Sequence, residues 1–115
     1  MSTSLHPVLS IRLFRDEKCF GRGIAQLLRG VQEHHSLRAA AQDMGMAYSK
    51  AWTIMRSCEA QLGFPLLNST TGGRHGGGAS LTPEAEQLLL TYDRYCQRVR
   101  EAAETLFREE FEAYL

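Results

Sequence analysis

Tyr48, Ser49 and Lys50 open a segment in which Thr53 and Arg56 follow at helical spacing, away from the apolar positions Ala51, Trp52, Met55, Cys58 and Leu62. Hydroxyls at 49 and 53 are suited to donate to or accept from base edges. The cations at 50 and 56 reach guanine acceptors or phosphates, and the Tyr48 hydroxyl suits a phosphate. The same set also describes an ordinary solvated helix face. Trp52 shares the apolar face with Met55 and reads as core. A second chemical feature is the run Gly72-Gly73-Arg74-His75-Gly76-Gly77-Gly78. A nucleotide-binding loop needs Gly-x-x-x-x-Gly-Lys-[Ser/Thr], and Gly73 to Ser80 has that glycine spacing with Ala79 where the lysine must stand. Nucleotide hydrolysis is therefore not expected. What remains is a hairpin tip that presents Arg74 and His75 to a nucleic-acid backbone, or a plain connector.

No nucleophile–base pair or paired carboxylates stand in a recognisable arrangement, so the chain reads as no enzyme. His6, His34, His35 and His75 lack the spacing of a ligand set, and Cys19, Cys58 and Cys96 are odd in number and far apart. Neither a metal nor a disulfide framework is expected, and no cofactor is implied.

The elements that must position these residues follow from periodicity. Leu9, Ile11 and Leu13 alternate with polar positions and predict a strand over Val8 to Arg15, with a polar turn at Asp16-Glu17-Lys18. Ile24, Leu27, Leu28 and Val31 predict a first helix ending near His34-His35. Ser36 is an N-cap for a second helix with Leu37, Ala40, Ala41 and Met44 inward, stopped by Gly45. The alanines at 39–41 are expected to let the third helix cross close to the second. That third helix runs from about Tyr48 to Gln61 and is ended by Gly63 and Pro65. Short strands near Leu66-Leu67 and Ala79-Ser80-Leu81 flank the glycine run and favour a wing over a connector. Thr82 caps a last helix with Pro83 at its first position, running to about Tyr114 and spanning roughly 48 Å. Leu88, Tyr92, Tyr95, Val99, Ala102 and Leu106 form a 3-4 seam along it, more than a small domain can cover. The simplest partner is the same helix of a second copy.

Net charge is zero over 115 residues, with 13 basic and 13 acidic side chains. The distribution is uneven: residues 1–82 hold nine Lys/Arg against five Asp/Glu, and 83–115 hold four against eight. The basic part suits a polyanion and the tail is acidic. No apolar run is long enough to span a bilayer, and Met1 to Pro7 does not read as a secretory signal, so a cytoplasmic protein with reduced thiols is expected.

Ser36-Leu37-Arg38-Ala39-Ala40-Ala41, Gly45-Met46-Ala47-Tyr48-Ser49-Lys50-Ala51-Trp52 and Thr71 to Thr82 resemble the N-terminal DNA-binding domain of the ModE family of molybdate-responsive transcription regulators. The helix-turn-helix is also similar to that of LysR-type regulators. The resemblance covers about residues 8–110. It implies a winged helix dimerised through its last helix on a palindromic site, with Tyr48, Ser49, Lys50 and the wing residues Gly72, Gly73, Arg74 and His75 on DNA. The chain departs from the family pattern at Ala47, at the order Ser49-Lys50 and at Arg74-His75, which implies a different operator. It stops at Leu115, short of the family's molybdate-binding domains, so no molybdate site is expected.

The sequence thus predicts a mainly α fold with a small β-sheet (α+β): a winged helix-turn-helix over 1–82 and a dimerisation helix over 83–115. The predicted function is a sequence-specific regulator binding double-stranded DNA as a homodimer. Ser36, Tyr48, Ser49, Lys50, Thr53, Arg56 and the four wing residues are the candidate contacts. The alternative is an interaction module that keeps the fold and docks a partner regulator through the long acidic helix.

Overall fold

The computed structural model describes residues 4–69 and 78–115. Three helices form a compact head. α1 (Arg22–His34) buries Ile24, Ala25, Leu27, Leu28 and Val31, the face its 3-4 spacing dictates. α2 (Leu37–Asp43) starts at Ser36, whose Oγ accepts from the Ala39 amide at 3.1 Å. α3 (Tyr48–Leu62) buries Ala51, Met55 and Cys58. Between α2 and α3 the chain turns at Gly45, where φ is +64°, a conformation that a Cβ would strain.

One alanine of α2 has a role beyond the one expected of the three. Ala40 packs on α1 at Gly30, where an added Cβ would lie 2.6 Å from the Ala40 Cβ. The small pair sets the spacing of the first helix against the second.

Two antiparallel pairs complete the head. β1 (Leu13–Phe14) pairs with β2 (Lys18–Phe20) across an irregular register. The strand expected over Val8 to Arg15 is therefore cut to two residues, and Lys18 belongs to a strand rather than to a turn. The reason is the lack of a partner: β2 is only three residues long, so the segment before Leu13 has no strand to pair with although Ile11 and Leu13 still face the core. β3 (Leu67–Ser69) pairs with β4 (Ala79–Leu81) in the register Leu67↔Leu81, Asn68↔Ser80 and Ser69↔Ala79. The hairpin is fastened at its base: the Ala79 amide donates to the His35 carbonyl at 2.9 Å and the Thr82 amide to the Leu66 carbonyl at 3.0 Å.

α4 (Pro83–Glu110) begins at Thr82, whose Oγ1 accepts from the Ala85 amide at 3.1 Å and donates to the Pro65 carbonyl at 2.8 Å. One hydroxyl thus caps the helix and ties it to the turn before β3. Ala85, Leu89, Tyr92 and Cys96 fix its first half to the head, and an Arg29–Asp93 ion pair joins it to α1. The helix stops at Glu110 rather than continuing to Tyr114. A single 3-10 turn (Glu112–Tyr114) follows, with Phe107 stacked on Phe111 at 5.0 Å between centroids. The second half of α4 projects from the head, and the molecule measures 62 × 35 × 21 Å.

The result is an α+β winged helix-turn-helix with a long C-terminal helix, as the periodicity predicts. No described helix is long and apolar enough to cross a membrane.

Candidate nucleic-acid interface

α3 is anchored by its inner face, so its outer face has to point away from the head. Ser49, Lys50, Thr53 and Arg56 are all exposed, and Tyr48 is half-buried at the first turn. These five predicted residues are therefore brought together on one protruding helix end. The Thr53 Oγ1 donates to the Ser49 carbonyl at 3.0 Å, which leaves its lone pairs available to a donor. Ser36 stands apart in role: it is half-buried and its Oγ already caps α2.

The start of α3 is electropositive. Its N-cap is Ala47, which supplies no side-chain hydrogen bond, and its first turn contains no acidic residue. Unpaired amides and the positive end of the helix dipole are thus left for an external anion.

Beside this end lies a residue that helical periodicity does not single out. The Arg38 guanidinium sits 4.2 Å from the centroid of the Tyr48 ring. Tyr48 meets Trp52 edge to face at 6.2 Å, and the Arg56 guanidinium lies 5.2 Å from the Trp52 ring. Two cations and two rings form a continuous ladder from α2 along α3. Trp52 is accordingly a half-buried rung rather than a full core residue. A signal for Arg38 was available in the sequence. It is the second residue after the Ser36 cap, where the helix dipole disfavours a cation, so its placement makes sense against an external anion.

The wing residues Gly72, Gly73, Arg74 and His75 lie outside the described residues. The strands that carry them, β3 and β4, leave the head next to the α1–α2 junction through the Ala79–His35 hydrogen bond.

Along α4 the expected seam divides. Tyr95 and Leu106 are 51% and 58% exposed, Ala102 is exposed, and Leu88 and Val99 are half-buried. Tyr92 is turned the other way. Its hydroxyl donates to the Ile11 carbonyl at 2.6 Å and its ring meets Phe20 edge to face at 5.0 Å. It belongs to the core of the head, because residue 92 lies on the same face of α4 as the buried Leu89 and Cys96. Among the described residues no group of three or more His, Cys, Asp or Glu side chains could hold a metal ion.

The sequence that builds these elements matches a known family. Residues 25–86 match the bacterial regulatory helix-turn-helix protein, lysR family. The chain belongs to that family. It is a family of regulators, not of enzymes. Within it, the resemblance to ModE holds. A transcriptional regulator ModE of Haemophilus influenzae is 35% identical over 85 residues, 74% of this chain and 33% of that protein. A transcriptional regulator ModE of Yersinia pestis is 35% identical over 98 residues, 85% of this chain and 35% of that protein. The DNA-binding transcriptional dual regulator ModE of Escherichia coli is 31% identical over 80 residues, 70% of this chain and 30% of that protein. The chain spans about a third of the length of these relatives.

Proposed function

We propose that this lysR-family helix-turn-helix binds double-stranded DNA sequence-specifically, as a homodimer, and regulates transcription. The observation that carries the reading is the outer face of α3, where Ser49, Lys50, Thr53 and Arg56 stand exposed around an uncapped helix N-terminus. In the major groove, Ser49 and Thr53 read base edges, while Lys50, Arg56 and Arg38 hold phosphates and fix the register. The wing, with Gly72, Gly73, Arg74 and His75, adds backbone contacts beside it.

Dimerisation runs through the outward face of α4, where the seam starts at Leu88 beside the head and continues past it with Tyr95, Val99, Ala102 and Leu106. Two copies related by a two-fold axis set two recognition helices about 34 Å apart on a palindromic site. The same length of helix that exposes the seam therefore fixes the half-site spacing.

Fragmented genomic DNA passed over the immobilised chain, followed by a gel shift of the retained fragments at two salt concentrations, tests the reading. A palindromic fragment bound far more tightly at the lower salt is expected. Retention of no fragment, with capture of a regulator protein through α4 instead, would replace it with the interaction-module reading.

A further inference from the structure

A cleft of about 340 Å³ opens on the side of α1 that faces α4, closed on its third side by the extended segment before β1. Arg22 and Arg29 reach it from α1, two helical turns apart, with the small, fully buried Ala25 as the floor between them. Asp93 and Arg100 reach it from α4, also two turns apart. Tyr92 stands at the back, its hydroxyl engaged by the Ile11 carbonyl.

The charges do not balance. Arg29 and Asp93 pair with each other across the cleft, so each neutralises the other. Arg22 and Arg100 then remain, one on each wall, and the lining holds no second carboxylate. Neither makes a hydrogen bond or ion pair among the described residues. Arg100 lies close enough to Tyr92 for its charge to favour the phenolate, against the burial that dominates and raises the Tyr92 pKa.

Two exposed guanidiniums on facing walls give one concave space a positive lining. That lining suits an anion, and each planar fork can grip a carboxylate or phosphate through two parallel N–H···O bonds. No lining residue comes from α2, α3 or the β3–β4 hairpin, so a DNA phosphate held at α3 is not the natural occupant. The volume falls at the small end of metabolite pockets.

We propose that this cleft is a binding site for a small dianionic metabolite, a phosphate ester or a dicarboxylate, bridged between Arg22 of α1 and Arg100 of α4. The site joins the head to the helix that leaves it, and it stands independently of the DNA-binding reading.

Calorimetric titration of the full chain with pyrophosphate and, separately, with succinate tests it, ionic strength being held constant with sodium chloride and no DNA present. Saturable binding of at least one probe is expected. The paired substitution Arg22→Gln/Arg100→Gln should weaken it by about tenfold or more, whereas Arg108→Gln, which removes a cation paired with Glu104 elsewhere on α4, leaves it unchanged. Unchanged circular dichroism and melting of the paired variant without anion show that its fold is intact. No binding of either probe up to about 10 mM, or equal binding by the paired variant, overturns the proposal. So does a paired variant that loses DNA affinity in the absence of any anion, because the arginines would then belong to the DNA surface. DNA binding that fails while anion binding persists sinks only the other reading.

Discussion

Tyr48 has a cation above its ring and a second aromatic at its edge, and this arrangement decides where Arg38 can be. An exposed arginine ordinarily samples many rotamers, and its ordering on contact costs free energy. Held over a ring, with a stabilisation of about 0.5–1 kcal/mol at an exposed site, it is partly placed beforehand. Arg56 over Trp52 repeats the device one turn further along. At the same scale, Cys58 shows what burial does to a group outside the interface. Desolvation first, then the neighbouring Cys19 thiol, push its pKa from 9.0 to about 12. The unfolded chain therefore releases this proton at lower pH than the native one. Its contribution is intact below about pH 9 and is lost as pH rises toward 12. Urea midpoints of the wild type and Cys58→Ala should differ by a constant amount below pH 9, with the wild type losing ground above it. The Tyr92 phenol, also raised by burial, shifts both proteins alike and cancels. A difference that stays flat through pH 11 would contradict this assignment.

Among the elements, the crossing of α1 and α2 sets the frame on which α3 is carried. Gly30 and Ala40 are in contact there, and nothing larger fits without moving a helix. Gly30→Val should cost about 2–3 kcal/mol of stability through overpacking, read from denaturant midpoints, and a neutral result would mean that the two helices yield freely. The elements themselves were legible to different degrees. Ser36, Gly45, Gly63, Thr82 and Pro83 mark helix ends through local chemistry, and the structure places those ends within a residue or two of the reading. The β1 strand was not legible in the same way. Alternation of Leu9, Ile11 and Leu13 says which side of a strand would be apolar, not whether a partner strand exists to pair with it. The partner of Gly30 was hidden for a related reason, since three alanines announce a close contact without naming the helix on the other side. In the candidate interface the exposed set Ser49, Lys50, Thr53 and Arg56 followed from periodicity alone. Arg38 did not, because it stands on another helix and meets Tyr48 only after α2 and α3 have packed.

Over the whole molecule, the feature that exceeds a single subunit is the projecting half of α4. Its first half is consumed by the head, where Tyr92 turns inward and Cys96 is the last buried residue. On its outer face Tyr95, Ala102 and Leu106 are exposed and Val99 is half-buried, and in the proposed homodimer the same face of a second copy would cover them. Val99→Asp together with Leu106→Glu should therefore give a monomer in sedimentation equilibrium, with the helical spectrum of the head retained. A wild type that sediments as a monomer at micromolar concentration would remove the homodimer. In the proposed dimer, losing the partner would halve the number of recognition helices on one site. The most direct trial of the central claim, that the outer start of α3 lies on DNA, is fluorescence anisotropy with a retained fragment over a range of salt. Lys50→Ala should lower affinity for every sequence and reduce the slope of log K against log salt by about 1 per subunit. Ser49→Ala should leave that slope alone and lose about 1–3 kcal/mol of discrimination at one base pair of each half-site. Affinity, slope and preference identical to the wild type in both variants would contradict the account.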